Sequence, residues 1–320
     1  MAELRWHPLL REWAIVADER QDRPVLPEGS CPLCAGVLEL PRDYYIASFE
    51  NRFPSLRREP PSPEVDGDDL YQVRPNRGIC EVLVYCAEHD REPSQLSISE
   101  LTDLVEVWVD RTRDLARYAF VDYVFVFENR GEDVGVTLHH PHGQIYGFPY
   151  VPSVIERELD SAQAYADEHG ANLFDAVIER ERAYKSRIVV ENDHFIGFVP
   201  FFARYPYEVQ LYATSPVPDL RTLDPDQYGP LARALKTVRL KYDALFGAPL
   251  PHMMVFHQAP VDGGNYEHYR FHIEFYPLQR AADKLKYRAG VESGAGTFTV
   301  DLSPEAMARE LRAIDVDLDD

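Results

Sequence analysis

The chain has 320 residues, 45% of them hydrophobic, which suggests two domains or one duplicated unit with a large core. Its formal net charge of −21 argues against a protein that binds nucleic acid or an anionic membrane, since the average surface would repel both. The chain contains no apolar run of the roughly 18 residues that a membrane helix needs. Its first residues also lack the apolar stretch of a signal peptide, so a cytoplasmic protein is expected.

The first motif along the chain is Cys-Pro-Leu-Cys at residues 31–34. The spacing of Cys31 and Cys34 is typical of a redox pair or of half a zinc site, and the motif alone leaves both open. Cys80 and Cys86 flank the strand-like run EVLVY and are predicted to be buried packing residues. Four cysteines in the whole chain do not make a disulfide framework.

The first half of the chain predicts strands around one amphipathic helix. Residues 44–56 form a strand that ends at a turn, and a second strand stops near residues 88–90. Residues 97–120 have the apolar spacing of a helix, which Ser97 and Glu100 begin as a capping box. Two further strands follow, within residues 122–131 and 136–149.

The second half repeats this order after a helical stretch at residues 153–184, for which Ser153 and Glu156 form a predicted capping box. A duplicated α+β unit explains both the length and the order, and it places His272 and Glu274 opposite His140 and His142. The predicted elements of this half are strands within 194–212, a helix in 224–246, and strands in 251–260 and 269–277.

Three of the 11 histidines lie in the run VTLHHPHGQIYGFP, residues 136–149. In an extended strand His140, His142 and Gln144 share one face. The alternative without function is that this row of polar side chains faces solvent on an edge strand. A neutral imidazole can attack phosphorus, and a glutamine on the same face can donate to a phosphoryl oxygen. The pattern therefore favours phosphoryl chemistry, although both histidines could equally be metal ligands.

The motifs HPHGQIYG and CPLCAG together resemble the galactose-1-phosphate uridylyltransferase family, a branch of the histidine-triad superfamily. The likeness extends from DERQDRP near the start to KLKYRAGVE near the end. The resemblance implies a duplicated histidine-triad fold of class α+β. Its two repeats of antiparallel sheet with helices, residues 1–150 and 151–320, would be related by a pseudo-two-fold axis.

The same resemblance implies a ping-pong exchange of UMP. His142 would attack the α-phosphorus of UDP-glucose, release glucose 1-phosphate and pass the uridylyl group to galactose 1-phosphate, giving UDP-galactose. Gln144 would stabilise the phosphoryl group. The family's substrate-binding positions correspond to Arg20, Arg23, Asn51, Phe53, Asn129, Lys286, Gly290 and Glu292.

Two metal sites are also implied by the resemblance. Cys31, Cys34, His89 and His140 match a zinc site with no open position, which would anchor the strand of the nucleophile. A second site, for iron or zinc, would use Glu158, His257, His272 and Glu274, where the last position is often histidine. A solvated helix face for Glu158 and an exposed loop for His89 are the alternatives without the family context.

The chain departs from the family pattern at three further positions. Arg52 replaces a common aspartate, Val291 a polar or aromatic residue, and His139 a proline. A homodimer is expected, because related enzymes complete their sugar site across a subunit boundary. Two other functions remain open: a nucleoside-diphosphate-sugar phosphorylase or dinucleotide hydrolase of the same superfamily, and a zinc-stabilised scaffold without catalysis.

Overall fold

A computed structural model describes residues 2–22, 31–37 and 40–318 of the chain. Its main feature is a nine-stranded antiparallel sheet. The strands are β1 (Ala2–His7), β2 (Glu12–Ala17), β3 (Ala47–Glu50), β4 (Val73–Pro75), β5 (Ile79–Val84), β6 (Tyr123–Arg130), β7 (His142–Phe148), β8 (Ile188–Glu191), β9 (Phe195–Phe198), β10 (Val209–Ala213), β11 (His252–His257), β12 (His272–Pro277), β13 (Gln279–Ala281) and β14 (Lys284–Leu285). The order in the large sheet is β3-β5-β7-β6-β11-β12-β10-β9-β8.

The large sheet is built from two similar halves that meet at β6 and β11. Glu128 pairs with Met254 in the middle of this contact. In the first half His142 pairs with Val84 of β5, and in the second Glu274 pairs with Gln210 of β10. The register therefore confirms a duplicated fold in which Glu274 occupies the position of His142. Whether the halves divide at residues 150 and 151 stays a prediction.

Six α-helices in the described part of the chain accompany the sheet. Two long ones, α1 and α4, pack on one face, where the rings of Trp108 and Phe256 lie 4.9 Å apart in an edge-to-face contact. None of the described helices has the length and apolar character needed to cross a membrane. The helices are α1 (Ile98–Leu115), α2 (Ser153–His169), α3 (Leu173–Tyr184), α4 (Tyr228–Leu245), α5 (Gly290–Ala295) and α6 (Pro304–Arg312).

One predicted capping box is confirmed and the other is wrong. The hydroxyl of Ser97 accepts from the backbone N–H of Glu100, whose carboxylate accepts from the N–H of Ser97. At α2 the N-cap is Pro152, and the hydroxyl of Ser153 instead donates to Glu12 of β2. The helical stretch at 153–184 is also two helices, because the chain turns at Gly170, which has φ of +62°.

The face of the sheet opposite α1 and α4 carries the polar residues. The small sheet β2-β1-β4 and its loops cover part of this face in the first half, through the apolar cluster around Leu4 and Tyr146. In the second half α2 and α3 cover it, with Phe174 packed on β9 and β10. His142 and Gln144 of β7 therefore share their face of the sheet with Glu274 of β12.

Candidate active site and metal clusters

His142 stands at the first position of β7, where its main chain is already fixed by the sheet. Its ring Nδ1 lies 2.7 Å from the main-chain carbonyl oxygen of His140. Because a carbonyl oxygen only accepts, Nδ1 carries the proton and the neutral ring has its lone pair on Nε2. The half-buried ring lines a cavity of about 280 Å³ together with Asn129, His139 and Pro251. The geometry thus suits a nitrogen nucleophile facing a ligand space.

The orientation of the Gln144 amide follows from a chain of hydrogen bonds. The backbone N–H of Phe53 donates to Asn51 Oδ1 at 2.9 Å, so the Nδ2 of Asn51 faces Gln144. It donates to Gln144 Oε1 at 3.4 Å, and the hydroxyl of Tyr146 donates to the same oxygen at 3.3 Å. With Oε1 serving as the acceptor, the Nε2 of this buried amide is the group that can donate to a substrate.

The predicted substrate-binding residues of the first half lie near this network. Arg20 Nη1 donates to the carbonyl oxygen of Phe53 at 3.0 Å, which joins it to Asn51 and Gln144. Asn129 lies two residues beyond Phe127, the partner of Gln144 in the β6–β7 pairing, so it is on the same face. Arg23 lies outside the described residues. The structure therefore brings Arg20, Asn51, Phe53 and Asn129 together with the histidine strand.

The four predicted zinc ligands also come together. One ligand atom from each of Cys31, Cys34, His89 and His140 lies within 4.8 Å of all the others. Cys34 Sγ is 3.5 Å from His89 Nδ1 and 3.8 Å from His140 Nδ1. Two thiols and two imidazoles are a donor set that zinc prefers, and the residues present can bind a metal.

The second ring nitrogen of His140 is also satisfied, by the carbonyl oxygen of Cys86 at 2.8 Å from Nε2. This contact fixes the tautomer, since Nε2 must donate and Nδ1 then presents its lone pair to the cysteines. Burial lowers the pKa of His140, which keeps the ring neutral. His140 lies before β7 and not in it, so only His142 and Gln144 of the predicted polar row belong to the strand.

A second cluster lies on the same face of the sheet, in the other half. Glu158 of α2, His257 of β11, and His272 and Glu274 of β12 each place a ligand atom within 4.8 Å of the others. His257 Nδ1 lies 3.0 Å from both oxygens of Glu158, and its Nε2 lies 3.7 Å from Glu274 Oε2. His272 Nδ1 donates to the carbonyl oxygen of Arg270 at 2.8 Å, which leaves Nε2 to face the carboxylates.

Electrostatics in this cluster hold the carboxylates ionised. Burial alone would raise the pKa of Glu158, but His257 and His272 lower it to about 2. Burial would lower the pKa of His257, but Glu158 and Glu274 raise it to about 9. Two imidazoles and two carboxylates can hold zinc, iron or manganese, so these residues are also able to bind a metal.

The predicted sugar-binding segment follows β14 and includes the start of α5. Lys286 Nζ donates to Glu292 at 2.6 Å, and this contact holds the pKa of Glu292 at about 2. Gly290 opens α5, the helix that contains Glu292. Among the described residues, neither Lys286 nor Glu292 forms a hydrogen bond or ion pair with His142 or Gln144.

Comparison with known proteins decides the family. A family model described as galactose-1-phosphate uridyl transferase, N-terminal domain, matches residues 1–152, and its C-terminal counterpart matches residues 158–319. A galactose-1-phosphate uridylyltransferase of Thermotoga maritima is 42% identical over 320 residues, covering 99% of this chain and 100% of that protein. The chain belongs to the galactose-1-phosphate uridylyltransferase family.

Solved structures agree with membership of the uridylyltransferase family. One described as uridylyltransferase has a TM-score of 0.90 at 34% identity, over 97% of each chain. An ADP-glucose phosphorylase of Arabidopsis thaliana, solved with bound ADP-glucose, has a TM-score of 0.77 at 21% identity, covering 99% of this chain and 100% of that one. The second likeness shows the shared fold alone. The α+β, duplicated histidine-triad fold expected from the sequence is confirmed.

Several residues around both clusters of this uridylyltransferase-family chain had no signal in the sequence. The Tyr44 hydroxyl donates to the carbonyl oxygen of Cys86 at 3.1 Å and lies 3.3 Å from His140 Nε2. In the second cluster Tyr269 donates to Glu158 at 2.6 Å and Arg204 donates to Glu274 at 3.0 Å. These contacts join residues far apart in the chain, so no local pattern could have revealed them.

Proposed function

We propose that His142 is the nucleophile through which this chain moves UMP from UDP-glucose to galactose 1-phosphate. The observation that carries this proposal is the hydrogen bond from His142 Nδ1 to the carbonyl oxygen of His140. The bond directs the lone pair of Nε2 at a substrate and stabilises the ring when it becomes positively charged after attack. Without it, the two tautomers of the ring would compete and Nε2 would often carry a proton.

The reaction consists of two displacements at the same phosphorus. Nε2 forms a bond to the α-phosphorus of UDP-glucose, and the bond to the oxygen of glucose 1-phosphate breaks. A phosphate oxygen of galactose 1-phosphate then attacks the uridylyl-histidine, the phosphorus–nitrogen bond breaks, and UDP-galactose leaves. Glucose 1-phosphate leaves before galactose 1-phosphate reacts with the uridylyl-histidine, so the kinetics are ping-pong.

The neighbouring residues have binding and electrostatic roles in this proposal. Gln144 Nε2 donates to a phosphoryl oxygen whose negative charge grows in the transition state. Arg20 and Arg23 hold the sugar phosphate, since guanidinium groups bind phosphate oxygens in a bidentate manner. Asn51, Phe53 and Asn129 contact the nucleotide. What supports these roles is the placement of the described members of this group around one strand.

The metal assignments are part of the proposal. Cys31, Cys34, His89 and His140 would hold zinc, which would support the strand of His142 without taking part in the reaction, since all four positions are protein ligands. Glu158, His257, His272 and Glu274 would hold a second ion, zinc or iron. The chemistry of the two donor sets supports both assignments.

A homodimer in the cytoplasm completes the proposal. Lys286 and Glu292 form an ion pair with each other and make no hydrogen bond to His142 among the described residues, and a second copy would bring this segment to the sugar phosphate, as the family resemblance implies. UDP-sugars and hexose 1-phosphates are then the only partners required, with no role for nucleic acid or membrane.

A labelled adduct tests the reaction. UDP-glucose with a labelled α-phosphate should transfer label to the protein in an acid-labile form, and galactose 1-phosphate should discharge it. His142→Ala should form no adduct, while His169→Ala, which changes an exposed histidine at the end of α2, should form it normally. Equally fast discharge by inorganic phosphate or water would instead assign a phosphorylase or hydrolase. If no adduct forms at all, the remaining hypothesis is the zinc-stabilised scaffold without catalysis.

A further inference from the structure

The hydroxyl of Tyr44 lies where the three segments that supply the cysteine and histidine cluster meet. It donates to the carbonyl oxygen of Leu33, which stands between the two cysteines, at 2.8 Å. The same oxygen lies 3.1 Å from the carbonyl oxygen of Cys86, three residues before His89, and 3.3 Å from Nε2 of His140. One side chain therefore contacts every segment that contributes a ligand to the cluster.

The segment of residues 31–37, the cysteine loop, has few other polar attachments. Among the described residues, no other hydrogen bond joins it to the chain outside residues 31–41, apart from the contacts of its second cysteine with the two histidines. The backbone N–H of Leu33 donates to Cys31 Sγ at 3.4 Å, so the residue that the tyrosine holds also supports a sulfur of the cluster. The tyrosine hydroxyl thus connects the cysteine loop to the sheet.

The tyrosine is itself held in place by the sheet. It comes three residues before β3, which begins at Ala47 and pairs there with Val84 of β5. Its half-buried ring packs against the apolar cluster that contains Leu33 and Val84. Because the strand and these apolar contacts fix the ring, its hydroxyl can hold the cysteine loop at a set distance from His140.

The same contacts orient the ring of His140. Its Nε2 donates to the carbonyl oxygen of Cys86 at 2.8 Å, and the Tyr44 oxygen lies within reach of the same N–H. The main-chain carbonyl of His140 in turn accepts from Nδ1 of His142 at 2.7 Å. A change at the tyrosine hydroxyl should therefore affect the cluster first and the proposed nucleophile through it.

We propose that Tyr44 is a positioning residue that closes the cysteine and histidine cluster around its metal and thereby supports the His142 nucleophile. Its hydroxyl fixes the spacing between the cysteine loop and His140 without binding the ion. Residues that orient metal ligands in this way contribute about tenfold to 100-fold to metal affinity or activity. The inference rests on the metal assignment proposed for this cluster, and cobalt binding tests the two separately.

A chelator challenge of the full chain loaded with cobalt(II) tests the role of Tyr44. Cobalt bound by thiolates has a sulfur-to-metal charge-transfer band, and the second cluster has no sulfur, so the band reports on the cysteine and histidine cluster alone. Tyr44→Phe removes only the hydroxyl, and half of its band should be lost at a chelator concentration at least about tenfold lower than in the wild type. Tyr45→Phe is the matched control and should behave like the wild type, because its exposed hydroxyl donates to Asp103 at 3.0 Å, outside the cluster.

Excess metal separates this role from general damage to the fold. With excess zinc, which refills a weakened site, adduct formation at His142 in Tyr44→Phe should return to the wild-type rate. Three results would each overturn the role of Tyr44: chelator resistance equal to that of the wild type, equal losses in both phenylalanine variants, or slow adduct formation that excess zinc does not restore. Absence of the charge-transfer band in the wild type would instead overturn the metal assignment, and this inference with it.

Discussion

The ring of His142 and the main chain of His140 are joined by a hydrogen bond of 2.7 Å, while the ring of His140 belongs to the four-residue cysteine and histidine cluster. One residue therefore contributes its side chain to the cluster and its carbonyl to the proposed nucleophile. The backbone N–H of Tyr85 holds the intervening Pro141 carbonyl at 3.1 Å, which fixes the link between them. A metal or contact that fixes His140 in the cluster therefore also orients the His142 ring.

Replacement of a cysteine inside the cluster should cause loss of metal, whereas replacement of a cysteine outside it should not. Cys34→Ser removes the sulfur that lies 3.5 Å and 3.8 Å from the two histidines, so zinc content should fall and the melting temperature should drop by more than about 5 °C. Cys80→Ser, at a buried cysteine outside the cluster, should retain the metal. Elemental analysis with thermal unfolding measures both, and equal metal content in the two variants would contradict the ligand assignment.

Replacement of Gln144 by glutamate should slow the chemistry without emptying the site. The carboxylate has nearly the same shape, but it brings negative charge and no donor to the phosphoryl oxygens. The rate of adduct formation should fall about 100-fold to 1,000-fold, the range found when one oxyanion donor is lost. Gln95→Glu, at an exposed glutamine, is the matched control. Rapid-quench measurement of the labelled adduct decides, and a rate within twofold of the wild type would exclude the stabilising role.

Two inactive variants should restore activity when they are combined, if the sugar site is shared between copies. His142→Ala lacks the nucleophile, and Lys286→Ala lacks the lysine that would come from the other copy. Denatured together and refolded, the mixture should recover about a quarter of wild-type activity, because half of the dimers are mixed and each of these has one intact site. Recovery should be absent when either variant is refolded alone. No recovery in a mixture that forms dimers would place both residues in the same chain.

The buried residue His252 should make the protein sensitive to acid. Burial, together with the charges of Arg130 and Arg239, lowers its pKa to about 3, whereas the ordinary value is 6.5. The unfolded chain therefore binds more protons between those values, and stability falls as pH decreases through that window, by up to about 1.4 kcal/mol per pH unit. His252→Phe, which keeps a ring beside Tyr242 and Phe275, should lose less stability over the same range. The measurement is the free energy of unfolding in urea at several pH values. Parallel plots of this free energy against pH for the wild type and His252→Phe would contradict the prediction.

Much of the fold could be predicted because the responsible signals are local. The apolar spacing of α1 and its Ser97–Glu100 capping box lie within one short stretch. The Ser153–Glu156 box failed for a reason outside any local window: the Ser153 hydroxyl donates to Glu12, far away in the sequence. Likewise the strand expected at 44–56 is shortened to β3, because Asn51 accepts from the N–H of Phe53 and turns the chain there.

The residues of the site could be predicted from the sequence, but the hydrogen-bond partners that orient them could not. The resemblance to the family pointed to the cysteines and histidines that the structure brings together. It did not point to the carbonyl of Cys86 that orients His140, since any residue has a carbonyl and only the tertiary fold decides which one is near. Arg204 was missed for a similar reason, because its partner Glu274 is 70 residues away in the chain.

The pairing of β6 with β11 at the middle of the sheet has a consequence for how the molecule could be divided. A fragment that stopped after the first half would expose the outer edge of residues 127–130 of β6, whose unpaired backbone groups would attract another strand. Two such fragments would satisfy each other by the same antiparallel contact that the intact chain makes internally. The centre of the sheet therefore has the form of an interface between two subunits, made within a single chain.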